Sequence, residues 1–275
     1  MRLIIHKTYE DASLWTALHI ADRINAYKNG AKTPPEKPFV LGLPTGGSPR
    51  LIYREFIKMV KDKKLSFANV HTFNMDEYVG LSKDHPQSYR HFMMENLFNH
   101  VDIDLANVHI PNGMADDLLK ECRLYEEAIA KVGGIELFLG GMGVDGHIAF
   151  NEPGSSLQSR TRIKTLTEET KVANARFFDG DITKVPSNAI TVGVGTVMDS
   201  REVVIIVSGK SKARALRAVV EGSVNHMWTL SGLQLHRKAI IVSDEEALDE
   251  LKVGTVRYFK DIEKENLKKY YDRIK

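Results

Sequence analysis

The sequence predicts an α/β fold with a mainly parallel central sheet and helices on both faces. Three observations carry this. Apolar runs such as "FVLGL", "IELFLGG", "EVVIIVSG" and "KAIIVSD" are nearly continuous, as in strands buried on both faces. Amphipathic segments separate them, as crossover helices would. Glycine, serine and threonine cluster where several of the runs end.

The elements follow in order. "RLIIH" reads as a strand, followed by a helix that Asp11 caps and Gly30 ends. "PPEKP" is a loop. After the strand "FVLGL", Ser48-Pro49 opens a helix with Ile52, Phe56, Met59 and Val60 on one face. "NVHTFNM" is a strand and "HPQSYRHFMMENLF" a helix. The short strand "NVHI" precedes a helix over about residues 116–132 that stops at Gly133-Gly134. The buried strand "IELFLGG" comes next. "TRIKTL" is extended, and Glu168 and Glu169 open a helix after it. "NAITVGVG", "EVVIIVSG" and "KAIIVSD" are then strands of the sheet, each with a helical pattern behind it.

Residues 1–275 read as one domain, with a charged, solvated helical tail from about residue 260. No repeat or long linker interrupts the pattern. Hydrophobic residues make up 43% and charged residues 27%, ordinary for a soluble globular chain. The net charge of +2 comes without a basic stripe, which argues against nucleic acid. A single cysteine, Cys122, excludes an internal disulfide and points to a reducing compartment. The first apolar run is too short for a signal peptide or membrane span. The expectation is a cytoplasmic protein without a membrane partner.

Ligands of such sheets bind at the carboxyl ends of the strands, where the unusual chemistry lies. Gly141-Met142-Gly143-Val144-Asp145-Gly146 fits the dinucleotide fingerprint G-x-G-x-x-G. The fingerprint requires a helix to start there, yet Pro153 and Gly154 follow too soon. The acid expected ~20 residues on, at the end of a second strand, is also missing. The same loop holds Asp145, His147 and Glu152. A histidine among carboxylates is a natural proton-transfer unit. Thr45, Gly46, Gly47 and Ser48 lie between a strand and a helix, where backbone N–H groups and the helix dipole favour an anion. Lys210 and Lys212 sit in a first helical turn, a place for cations only if an anion is bound; otherwise they are solvated surface lysines. The segment is not a Walker A loop, since position 204 is Val. Asp76 and Glu77 directly follow a strand, as a cap or as a base projecting into the cleft. Arg176 stands beside two aromatics, as a stacked surface residue or an oxyanion clamp. No Cys/His cluster has metal-ligand spacing. His85, His91, His109 and His226 read as structural or surface groups. A phosphate cradle, cationic clamps, a carboxylate and a His–carboxylate group suit proton chemistry on a small phosphorylated substrate, with neither metal nor nucleotide cofactor.

The motifs "LGLPTGGSP", "TFNMDEYVGL", "GGMGVDGHIAFNEPGSS", "SRTRIKTL", "VANARFFDG", "ITVGVGTVMD" and "VNHMWTLSGLQLH" make the chain resemble the glucosamine-6-phosphate deaminase (isomerase) family from Met1 to about Lys260. The resemblance implies a Rossmann-like fold, no cofactor, and conversion of glucosamine 6-phosphate and water to fructose 6-phosphate and ammonia. It implies that Asp76 is the enolisation base and that Asp145, His147 and Glu152 open the ring. Phosphate contacts would come from Thr45, Gly46, Gly47, Ser48, Arg176 and Lys212. An allosteric phosphate site would use Ser155, Arg162, Lys164, Thr165 and Tyr258, with N-acetylglucosamine 6-phosphate as activator. A homo-oligomer, a hexamer in many members, is the implied assembly. Read without the resemblance, Arg162 and Lys164 are a basic edge strand. Three rival functions remain: an NAD-dependent oxidoreductase, a 6-phosphogluconolactonase-like hydrolase, which needs no C2 base, and a phosphosugar-binding regulator.

Overall fold

A computed structural model describes residues 1–29 and 37–274. The elements run β1 (Arg2–Ile5), α1 (Tyr9–Asn29), β2 (Phe39–Leu43), α2 (Arg50–Lys61), β3 (Val70–Asn74), β4 (Asp76–Tyr78), α3 (Tyr89–Asn96), β5 (Val108–His109), α4 (Leu118–Lys131), β6 (Leu137–Gly141), β7 (Arg162–Thr165), α5 (Glu168–Ala175), β8 (Asn188–Thr191), α6 (Val194–Met198), β9 (Val203–Val207), α7 (Ala213–Glu221), β10 (Ala239–Ser243) and α8 (Val253–Ile274). Seven strands form the main sheet in the order β1-β10-β9-β6-β2-β3-β5, and all their pairings are parallel.

The continuous apolar runs are explained by burial on both faces. Along β9, Val203, Ile205 and Val207 enter one core and Val204 and Ile206 the other. That is the two-residue alternation of a strand with no polar side to show. The first core is covered by α4 and α7 through Tyr125, Ile129, Leu216 and Val219. The second is covered by α1 and α2 through Ile20, Ile24, Ile52 and Phe56.

Several boundaries differ from the sequence reading. Asp11 lies inside the first turn of α1, and its N–H is capped by the Thr8 hydroxyl. The expected stop at Gly30 lies outside the described residues, as does most of the loop read over 34–38. The helix read from "HPQSYRHFMMENLF" begins only at Tyr89, where the Ser88 hydroxyl accepts from the His91 N–H. "NAITVGVG" supplies β8, which does not join the parallel sheet. It is the middle strand of a small antiparallel sheet, β4-β8-β7. A short buried apolar run looks the same in either sheet, and its partner β4 is only three residues long.

One residue joins the two sheets. The Met75 N–H donates to Leu43 O at the end of β2, and the Met75 carbonyl accepts from the Val192 N–H beyond β8. Asp76 therefore begins the small sheet directly where the large one ends.

The tail read as solvated is the second half of α8, and it is docked. Glu263 is 3% exposed and takes a two-pronged bond from Arg2 at 2.8 and 2.7 Å. Leu267 and Tyr270 pack on the second core. His6 is buried against Trp15, Tyr270 and Tyr271, with Nδ1 3.1 Å from the Tyr271 hydroxyl. No helix among the described residues is long and apolar enough to cross a membrane.

Candidate active site

A cleft of about 950 Å³ opens at the carboxyl ends of β2, β3, β6 and β9. Its walls include Thr45, Gly46, Gly47, Ser48, Asp76, Asp145, His147, Arg176 and Lys212. These residues come from five separate segments, and the fold brings them to one cavity.

The fingerprint glycines have local jobs. A Cβ on Gly143 would lie 2.6 Å from the ring of His147, so the imidazole rests directly on this residue. Gly146 has φ of +75°, and a Cβ there would meet Trp228 at 2.7 Å. No helix follows them. Instead the Leu230 N–H donates to Gly146 O, the Asn151 amide donates to Ile148 O and Val192 O, and the Thr229 hydroxyl donates to Asn151 O. The loop is a rigid mount for the histidine.

His147 Nδ1 is 2.6 Å from Asp145 Oδ1 and 3.6 Å from Glu152 Oε2. The ring N–H is not aimed squarely at either oxygen. The closeness is nevertheless enough to act on Asp145. Burial opposes its ionisation, but the nearby His147 ring and the bond from the His147 backbone N–H hold its carboxyl below the ordinary value. Glu152 is buried and accepts a bond from the Thr170 hydroxyl of α5. One ligand atom from each of Asp145, His147 and Glu152 lies within 4.8 Å of the others, so the three have the geometry to hold a metal ion. Their spacing in the sequence gave no sign of this. Glu152 accepts from the Thr170 hydroxyl through Oε1 and turns Oε2 toward the histidine.

Asp76 is 6% exposed. Burial, with the charge of Glu77 beside it, pushes its carboxyl up to about 8. Glu77 itself is turned away from the cleft. It accepts from the N–H groups of Tyr78, Tyr89 and Arg90 and so closes the start of α3. Of this acidic pair only Asp76 faces the cavity.

Lys212 ends a single tight turn over Lys210–Lys212 before α7. Burial lowers its ammonium below the ordinary value, Asp145 counters this and Arg176 adds to it. Two cations held within each other's field, one of them half-buried, suit a bound anion. Arg176 caps α5 and lies over the Phe177 ring, 4.7 Å from its centroid. Lys210 points elsewhere and pairs with Asp249 at 3.2 Å.

Some of the cleft was not visible in the sequence. Tyr78, Tyr89, Phe150, Thr170 and Asn174 line it, and His91, read as structural or surface, does too. The regulatory candidates are only partly gathered. Arg162, Lys164 and Thr165 share edge strand β7, and burial pushes the Arg162 guanidinium down. The Ser155 hydroxyl is buried without a partner among the described residues. Tyr258 is exposed on α8, edge-on to Phe259. α8 packs on β1, whereas β7 packs on β8 and α4.

Residues 15–242 match the family model described as glucosamine-6-phosphate isomerases/6-phosphogluconolactonase. The chain is 60% identical to a glucosamine-6-phosphate deaminase of Borreliella burgdorferi strain ZS7 over 266 residues, 97% of this chain and 98% of that protein. It is 61% identical to a glucosamine-6-phosphate deaminase of Phocaeicola vulgatus over 267 residues, 97% of this chain and all of that protein. A solved structure of a monomeric glucosamine-6-phosphate deaminase superposes with a TM-score of 0.84 at 42% identity, covering 90% of this chain and 98% of that one. With the cleft, its carboxylates and its basic residues within the matched region, the chain belongs to the family of glucosamine-6-phosphate isomerases and 6-phosphogluconolactonases.

Proposed function

We propose that this chain is a glucosamine-6-phosphate deaminase that releases ammonia and fructose 6-phosphate. The carrying observation is Asp76, a buried carboxyl in the cleft wall with its ordinary value raised to about 8. A lactonase hydrolyses an ester and needs no base at C2. Deamination does need one. The relatives of about 60% identity are deaminases over their whole lengths, which supports the same reading.

The phosphate binds the N–H groups of residues 45–48 with Lys212 and Arg176, which fixes the sugar in register. His147 takes the proton of the anomeric hydroxyl and returns it to the ring oxygen, opening the pyranose. Asp145 and Glu152 orient the imidazole and stabilise its charged form. Asp76 removes the C2 proton, acidified by the C1 aldehyde, and delivers it to C1, while the C1 oxygen gains a proton to become a hydroxyl and the C2 nitrogen gives one up. The C2 amine becomes an imine, water adds to C2, and ammonia leaves. A substrate ammonium at C2 would favour the ionised form of Asp76, so the substrate itself primes the base. The reaction uses no metal and no cofactor.

The finer reading includes regulation and assembly. Arg162, Lys164, Thr165 and Ser155 bind the phosphate of N-acetylglucosamine 6-phosphate, and Tyr258 joins them from a neighbouring copy of a hexamer. The chain is one domain and works in the cytoplasm.

The test is ammonia release from glucosamine 6-phosphate, with and without a chelator, beside C2-hydrogen exchange for wild type and Asp76→Asn. Release in wild type, insensitive to the chelator, with exchange reduced at least 100-fold in the variant, is the expected result. Near-normal exchange in Asp76→Asn would remove Asp76 as the base.

A further inference from the structure

Tyr9 is not in the wall of the cleft, yet its hydroxyl reaches the phosphate loop from behind. It donates to Ser48 O at 2.7 Å and lies 3.3 Å from Gly47 O. We propose that Tyr9 is a positioning residue that sets the backbone of residues 47 and 48 for phosphate binding. This rests on the reading of the cleft as a sugar-phosphate site.

The peptide unit is planar and trans, so its C=O and N–H point in opposite directions. The one Tyr9 proton goes mainly to Ser48 O and is shared with Gly47 O; drawing Gly47 O toward α1 turns the Ser48 N–H to the other side. The next carbonyl, Ser48 O, belongs to the peptide before Pro49, which has no N–H to hold it in place. Two adjacent glycines precede this point, and a loop of that composition samples many peptide orientations unless something restrains it. Among the described residues, the other backbone restraint on Gly47 O inside the loop is a 3.3 Å bond from the Arg50 N–H. Tyr9 adds a rigid strut.

The strut is itself well braced. The Tyr9 ring packs on the second core, at the first residue of α1. Thr8 beside it caps that helix. Three residues earlier, His6 is wedged under Tyr270 and Tyr271 of α8. Burial raises the Tyr9 phenol above its ordinary value, so it remains a proton donor throughout the neutral range. A pre-set loop spends less of its binding free energy on ordering, and that saving appears in affinity.

The experiment compares wild type with Tyr9→Phe, which keeps the ring and loses only the hydroxyl. Calorimetry measures inorganic phosphate binding to both proteins, without turnover. Kinetics give KM and kcat for glucosamine 6-phosphate, and inhibition by glucosamine gives a phosphate-free control. The phosphate dissociation constant and KM should rise together about three- to tenfold, by loss of one net hydrogen bond. kcat should stay within twofold, and the glucosamine constant should not move. An unchanged phosphate constant, or a lower kcat with unchanged KM, overturns the proposal. So does an equal loss for glucosamine, which would mark general loosening. If wild type released no ammonia but Tyr9→Phe still lost phosphate affinity, the deaminase reading would fail and the strut would stand.

Discussion

At the residue scale, Asp76 governs two measurable pH effects. Its folded value of about 8 lies above the ordinary 3.8. Below pH 3.8 the group is neutral in both states and costs nothing. As pH rises toward 8, only the unfolded chain ionises freely, so the wild type progressively loses stability. Asp76→Asn should therefore raise Tm, by more at pH 8 than at pH 5, with a gain at pH 8 of about 1 kcal/mol or more, on the order of 2–4 °C. A Tm gain independent of pH would contradict the raised value. In the active wild type, kcat/KM should climb with pH and level near 8, because it reports the free enzyme's base. A second expectation concerns Lys212. Lys212→Ala should raise KM for the sugar phosphate about 10- to 150-fold, the worth of one charge-assisted contact. Much of this chemistry was legible in the sequence, because Asp145, His147 and Glu152 fall within one short loop. Thr170 was not, since it reaches Glu152 from 18 residues away. Neither was Tyr9, which meets a loop 38 residues distant. Such contacts follow from packing and leave no local pattern.

At the element scale, α8 is the largest departure from the sequence reading. Charge alternation along 260–275 looked like a solvated surface, and most of its side chains are indeed exposed. One acid within that pattern, Glu263, faces inward to Arg2, and nothing local marks it. Burial opposes the charge on Glu263, but bonding to Arg2 outweighs it and holds the carboxyl below its ordinary 4.5. That bond stabilises the fold above pH 4.5 and is lost as pH falls further. His6 acts in the neighbouring window. Burial lowers its value from 6.5 to about 4, so its share of stability is present above pH 6.5 and fades toward pH 4. Glu263→Ala should cost about 2–3 kcal/mol at pH 7, since Arg2 keeps access to water while losing a charged partner. Chemical denaturation at pH 7 measures it, and a cost under 0.5 kcal/mol would show that α8 docks through Leu267 and Tyr270 instead. The antiparallel strand β8 was misplaced for a related reason. Its apolar run signals burial on both faces but carries no record of which strands it pairs with.

At the scale of the whole molecule, the parallel sheet and the site at its strand ends were both legible, because continuous apolar runs and glycine-rich strand ends are properties of sequence. The second sheet was not, since β4 is three residues long and two of the three are acids. The proposed regulation also belongs to this scale. Arg162 and Lys164 sit on the edge strand of the small sheet, while Tyr258 stands on a helix that packs elsewhere. If the activator site completes only between copies, assembly and activation depend on each other. N-acetylglucosamine 6-phosphate should lower the half-saturation concentration in wild type, with a coupling of about 1–3 kcal/mol. Lys164→Glu should abolish that response and keep activity at saturating substrate. Steady-state kinetics with light scattering on the same samples would decide it. A response that survives in the variant, or that persists in a monomer, would place regulation elsewhere.

The joint at Met75 has a consequence for the two proposed proton transfers. Asp76 is mounted on the small sheet and His147 on the loop that follows β6 of the large one, with the Met75 joint fixing where the small sheet starts. Side chains on a strand alternate faces, so one extra residue at this joint would turn Asp76 out of the cavity and leave His147 untouched. Such a protein would open the pyranose, find no acceptor for the C2 hydrogen, and close it again on either face. The lesioned enzyme would become a mutarotase, interconverting the two anomers of its sugar without consuming it.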